Sequence, residues 1–207
     1  MDQFSLWPKV FMRVFIAIDI DEKTRAAIAD LQKQLNSKVD IKKVGSTSSP
    51  RSDVKWVEPE NIHLTLKFLG EIDEKQLAEV YDITKQVAAL HKNFTLDIES
   101  VGSFGGRSAK VVWVGAGKGA DELIALQKDL DERLEQAGYP KEDREFSAHL
   151  TICRVRNPKA GFKLAEAVVQ FEKLKLGSID ADAVCVYQSQ LMPEGPIYTQ
   201  LASFKLA

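Results

Sequence analysis

The chain has 207 residues, 44% of them hydrophobic, and a formal net charge of −2. That length makes one large domain or two small ones, and the apolar share is enough for a real core. The near-neutral charge excludes a long-duplex binder with many phosphate contacts and leaves only a local basic cleft with a small footprint.

The opening stretch MDQFSLWPKVFMR is interrupted by Asp2, Pro8, Lys9 and Arg13, so no secretory signal is expected. No run approaches the ~18 apolar residues of a membrane span. VFIAIDI, 14–20, reads as a strand. Asp21 can cap the helix that follows, in which Ala27, Ile28, Leu31 and Leu35 recur at helical spacing. The polar residues 37–53 read as a loop, 54–57 as a short strand, EPEN as a turn, and 62–69 as a strand closed by Gly70.

Asp73 starts a helix to about Leu90, with Leu77, Val80, Tyr81, Thr84, Val87 and Ala88 on one stripe. Residues 94–101 and 109–116 read as strands joined by GSFGGRS. After Gly117 and Gly119 comes an amphipathic helix that Gly138 ends as a C′ glycine. A charged loop over 139–146 leads to a strand over 147–156, then a helix over 162–172. Two final strands, LGSIDADAVCVYQSQL and IYTQLASFKL, are joined through the turn residues of MPEGP.

The order β-α-β-β-α-β-β-α-β-α-β-β predicts an α+β fold with two pseudo-symmetric lobes of antiparallel sheet, helices outside and a central cleft. The two halves of the chain each carry one of the matching strands described next. No linker separates them, so residues 1–207 read as a single bilobal domain. The two cysteines, Cys153 and Cys185, form no C-x-x-C pair and fit a reducing cytoplasm.

The chain holds three histidines, and two of them open the same tripeptide: HLTLKF from His63 and HLTICR from His149. Period-two alternation puts His63 beside Thr65 and His149 beside Thr151, with Leu64, Leu66, Leu150 and Ile152 turned to a core. Facing strands bring two imidazoles and two hydroxyls to one small volume. One imidazole can accept a proton while the other donates one, and the hydroxyls can donate to anionic oxygens. That set suits metal-free cleavage of a phosphodiester. A packed or surface histidine is the ordinary alternative, and His91, with no matching context, takes that reading. His63, His149 and Cys153 lack zinc-ligand spacing, so no metal or cofactor is expected.

HLTLKFLG and HLTICR resemble the two H-x-T-x signatures of the 2H phosphoesterase superfamily. The whole chain is similar to the bacterial and archaeal RNA 2′,3′-cyclic phosphodiesterases, also called 2′-5′ RNA ligases. The segments that carry the likeness include RVFIAIDI, VKWVEPENIHLTLKFLGEI, VGSFGGRSAKVVWVG, FSAHLTICRVRN and SQLMPEGPIYTQLASFKL. The resemblance implies His63 as proton donor to the leaving ribose oxygen and His149 as base on water. Thr65, Thr151 and Arg154 are then the phosphate-binding residues. It further implies opening of a 2′,3′-cyclic phosphate at an RNA 3′ end to a 2′-phosphate. Some members also join RNA halves reversibly through a 2′-5′ linkage.

Strict alternation places Arg154 on the leucine face, so it reaches the cleft only if the strand bulges near Cys153. Cys153 reads as packing, and Lys67 as a solvated lysine that could add charge beside a phosphate. Phe104 and Tyr198 could stack on a terminal base, although strand aromatics are ordinarily core; Trp7, Trp56 and Trp113 read as packing. The expected partner is an RNA 3′ end or a nucleotide bearing a cyclic phosphate, bound by a cytoplasmic monomer with no membrane contact. The competing readings are a phosphodiesterase for another small cyclic phosphate and a non-catalytic RNA-end binding module.

Overall fold

The buried run of the first strand organises the fold. In the computed structural model, which describes residues 10–39, 53–141, 145–193 and 195–207, strand β1 (Met12–Ile18) lies inside a four-stranded sheet. Val14 to Ile18 are all buried, as a strand covered on both faces requires. Trp7, most of the predicted loop over 37–53 and part of that over 139–146 fall outside the described residues.

The elements that follow are α1 (Glu22–Val39), β2 (Val54–Trp56), a 3-10 turn (Pro59–Asn61), β3 (Leu64–Ile72), α2 (Glu74–Ala88), β4 (Phe94–Phe104) and β5 (Val111–Ala116). Then come α3 (Ala120–Gln136), β6 (His149–Val155), α4 (Pro158–Val168), a second 3-10 turn (Val169–Phe171), β7 (Lys175–Ala181), β8 (Ala183–Leu191) and β9 (Pro196–Lys205). The first sheet has the order β3-β1-β8-β9 and the second β2-β6-β5-β4-β7, with every pair antiparallel.

Local chemistry sets the helix ends. Asp73 and Gln76 form a reciprocal capping box at α2, with Gln76 N donating to Asp73 at 2.9 Å and Asp73 N to Gln76 at 3.0 Å. The last helix starts four residues before the predicted position. Asn157 caps it, accepting from Lys159 N at 2.8 Å, and Pro158 takes the first turn, where its missing N–H costs nothing.

Two other expectations need correction. Gly70 does not close β3. It sits at φ +75 beside a register shift between Val14 and Phe15, and the strand runs on to Ile72. Here the left-handed glycine absorbs a bulge rather than ending the element. The stretch 176–191 is not one strand. The chain changes sheets at Asp182: β7 pairs with β4 and β8 pairs with β1. Alternation of apolar residues is the same on either side of such a crossing.

The lobes are therefore interleaved. The first sheet takes its strands from both ends of the chain, the second from the middle. Helix α1, although it follows β1, packs against α4 and β7, while α2 packs against α3, β8 and β9. One contiguous apolar cluster includes Leu64 and Leu66 from one lobe and Leu150 and Ile152 from the other.

Candidate active site

Each His-Leu-Thr strand carries a bulge at the same place. In β3, Ile16 pairs with Lys67 and Ala17 with Thr65, so Leu66 is the extra residue. In β6, Val112 pairs with Cys153 and Trp113 with Thr151, so Ile152 is the extra residue. The bulge resets the alternation: Lys67 and Cys153 turn inward, and the next residues, Phe68 and Arg154, are exposed. Arg154 thus leaves the leucine face on which strict alternation places it. His63, Thr65, His149, Thr151 and Arg154 all line one cavity of about 680 Å³.

A buried glutamine serves each bulge. Gln32 Nε2, on α1, donates to the Ile152 carbonyl at 2.9 Å and to that of Val57 at 2.7 Å. Gln127 Nε2, on α3, donates to the Leu66 carbonyl at 3.5 Å. The sequences around them are LQKQL and LQKDL. The shared Leu-Gln-Lys at matching places in the two helices is a second repeat and the sequence signal for these glutamines.

His63 precedes β3 in a segment held from α1. Arg25 Nη1 donates to the carbonyls of Pro59 and Glu60, both at 2.9 Å. The His63 ring hydrogen-bonds the Asn61 backbone, stacks on Phe15 at 4.6 Å and meets the edge of Tyr198 at 5.2 Å. Phe15 stacks in turn on Tyr187 at 5.3 Å, whose hydroxyl donates to Asp19 at 2.7 Å. Burial among these rings is the main force on the imidazole and lowers its pKa to about 4. The Asn61 bond and Asp19 oppose that shift, and Arg25 adds to it.

His149 has the matching anchor, its Nδ1–H donating to the Ser147 carbonyl at 2.7 Å. In both copies the partner stands two residues before the histidine. That bond fixes the His149 tautomer and leaves Nε2 for the cavity. Phe104 meets the His149 ring edge-on at 5.2 Å and leans on Trp113 at 5.5 Å. Gly102 makes room for that indole: a Cβ there would come within 2.3 Å of it.

The remaining expectations divide. Phe104 and Tyr198 line the cavity rather than the core, and Trp56 lines it too. Trp113 is a packing residue. Cys153 is fully buried, and burial pushes its thiol up to about 12, in keeping with packing. Lys67 is not solvated: it is buried, ion-paired to Asp131 and donates to the Pro140 carbonyl at 2.6 Å. Its charge is neutralised from α3. His91 pairs with Asp129 at 3.3 Å, outside the cavity lining. Neither Phe15 nor Lys55 carried a signal in the sequence: Lys55 lines the cavity together with Phe68, the counterpart of Arg154, and Phe15 backs His63. Among the described residues no three His, Cys, Asp or Glu side chains converge as a metal site. No described helix is long and apolar enough to cross a membrane.

Residues 21–191 match the model of the 2′-5′ RNA ligase superfamily. The chain is 32% identical to an RNA 2′,3′-cyclic phosphodiesterase of Methanothermobacter thermautotrophicus, over 94% of this chain and 99% of that one. It is 35% identical to one from Archaeoglobus fulgidus, over 94% and 100%. Among solved structures it resembles Escherichia coli LigT crystallised with 3′-AMP, with a TM-score of 0.72 at 23% identity, covering 96% of this chain and 99% of that one. That last likeness concerns the fold.

Proposed function

The chain belongs to the 2′-5′ RNA ligase superfamily, and on that premise we propose that it hydrolyses the 2′,3′-cyclic phosphate at RNA 3′ ends to a 2′-phosphomonoester without a metal. The observation that carries this reading is that His63 and His149, each tied to the backbone two residues upstream, line one cavity of about 680 Å³ with Thr65, Thr151 and Arg154. A binding module needs no such pair of proton carriers.

In the proposed reaction His149 Nε2 takes a proton from water as the water oxygen bonds to phosphorus. The bond from phosphorus to the ribose 3′ oxygen breaks, and His63 gives that oxygen its proton. The products are a 2′-phosphate and a free 3′ hydroxyl, and solvent returns the two imidazoles to their starting states. Thr65 and Thr151 donate hydrogen bonds to the non-bridging oxygens as charge builds there, and Arg154 holds the phosphate as a charged fork. His63 is neutral near pH 7 because burial disfavours its cation. An anionic phosphate beside it reverses that balance and loads the donor.

The protein acts as one bilobal unit over residues 1–207. We place it in the cytoplasm, where free thiols such as those of Cys153 and Cys185 persist, and take it to act as a monomer. The reading is tested by following a nucleoside 2′,3′-cyclic phosphate by phosphorus NMR in the presence of EDTA. A 2′-phosphomonoester is expected. A 3′-phosphate would overturn the roles given to the two histidines, and an enzyme silent in EDTA but active with added metal would overturn the metal-free chemistry.

A further inference from the structure

The cavity is charged unevenly. Phe68 and Arg154 hold equivalent places after the two bulges, so the first lobe offers an aromatic ring where the second offers a guanidinium. Beyond Arg154 the second lobe has another cation. Lys55, in β2, is the direct antiparallel partner of Arg154, and both line the cavity. Cross-strand partners share a face with their Cβ atoms about 5 Å apart, and like charges set opposite each other destabilise the pair.

Neither cation is relieved among the described residues: neither Lys55 nor Arg154 takes part there in an ion pair or a side-chain hydrogen bond. Glu58 and Glu145 line the same cavity without pairing to them. The row His149, Thr151, Arg154 leads along β6 away from the histidines, and Lys55 stands one strand further out, about 4.8 Å. Two exposed, unrelieved cations side by side in the cavity that holds both histidines form a place for a second anion.

We propose that Lys55 and Arg154 together hold the phosphodiester immediately upstream of the terminal nucleotide, so that the enzyme selects the end of an RNA strand over a free nucleoside cyclic phosphate. This rests on the cyclic phosphodiesterase reading and adds its substrate polarity: the terminal phosphate lies between the histidines and the strand leaves over β2. Arg154 then touches both phosphates with different N–H groups, and Lys55 touches only the upstream one.

The test compares kcat/KM for three substrates. One is a nucleoside 2′,3′-cyclic phosphate without a 5′ phosphate. The second is a dinucleotide with the same cyclic end. The third is that dinucleotide with a neutral methylphosphonate linkage. The wild-type protein is expected to favour the charged dinucleotide over the other two by at least ~10-fold, the usual scale of a charge-assisted contact. Lys55→Gln should shrink that ratio, Lys55→Glu should abolish it, and Lys55→Arg should retain it. Equal kcat/KM for the charged and methylphosphonate dinucleotides in the wild-type protein would overturn the upstream site while leaving the cyclic phosphodiesterase reading intact. Failure to open any of the three would overturn that reading and this inference with it.

Discussion

His63 and Phe15 lie in stacked contact, ring centroids 4.6 Å apart with 26° between their planes. The phenyl face removes water from one side of the imidazole, and the charge of Asp19 offsets only part of that cost. That explains a histidine lowered to about 4 in a cavity proposed for proton transfer.

This arrangement has a binding consequence. If His63 is the donor, an anion entering the cavity must bring a proton with it. Sulfate, which does not titrate in this range, is expected to bind more tightly as pH falls from 7 to 5 and to take up close to one proton. Calorimetry in buffers of different ionisation heat measures that number. His63→Asn should remove the uptake. Binding with no proton uptake in the wild-type protein would argue against His63 as the donor.

The same depression ties stability to pH. Between the unfolded value near 6.5 and the folded value of about 4, the unfolded chain binds a proton at His63 that the native chain refuses. Stability therefore falls as pH drops through this window, with the full loss, about 3 kcal/mol as an upper limit, reached below it. His63→Asn should flatten this part of the profile in urea unfolding measured from pH 4 to 7. An unchanged slope would place the titrating group elsewhere.

Gln127 reaches the carbonyl of the bulged Leu66 from α3. Gln127→Leu keeps the bulk and removes the donor. The bulge then loses a support that aims Thr65 and Phe68, and kcat is expected to fall about tenfold, within the ~10²-fold that a misplacement near 1 Å can cost. KM should move little, and Gln127→Glu, which cannot donate when ionised, should not rescue it. A change confined to KM would argue that Gln127 binds substrate instead.

Lys67, which lines the cavity, forms a buried pair with Asp131. Lys67→Met leaves Asp131 with an uncompensated charge and is expected to cost about 3 kcal/mol in denaturant unfolding. Adding Asp131→Leu should recover much of that loss. If the double variant is no more stable than the single one, the pair is not acting as a coupled unit.

Much of this site was legible in sequence because it depends on identity and spacing. The repeated His-Leu-Thr, the alternation that buries Leu64 and Leu150, and the Asp73 cap are local patterns, and the fold reproduces them. What was not legible depends on pairing between distant segments. The bulges at Leu66 and Ile152 move Arg154 and Phe68 to the cavity face and Lys67 to the interior, and a bulge leaves no fixed residue signature. The approach of Lys55 to Arg154 needs β2 and β6 to be neighbours, and the change of sheet at Asp182 needs both sheets to exist. The interleaving of the lobes is likewise a property of the topology, since α1 covers the sheet that its preceding strand does not join.

Thr65 and Thr151 occupy equivalent positions, and their hydroxyls are the donors proposed for the non-bridging oxygens. Thr65→Val and Thr151→Val keep the shape of each side chain and remove its donor. Each is expected to lower kcat by about 10²-fold, the lower end of the range for loss of one oxyanion donor. Steady-state rates on a cyclic nucleotide, with melting curves to confirm the fold, check this.

The most direct measurement is the rate of cyclic phosphate opening in EDTA by the wild-type protein, His63→Ala, His149→Ala and the double variant. The two-histidine account predicts that each single change costs at least ~10²-fold. It also predicts that the double variant is scarcely slower than the worse single one, because residues that act as a unit are not additive. Full activity in either single variant would contradict it.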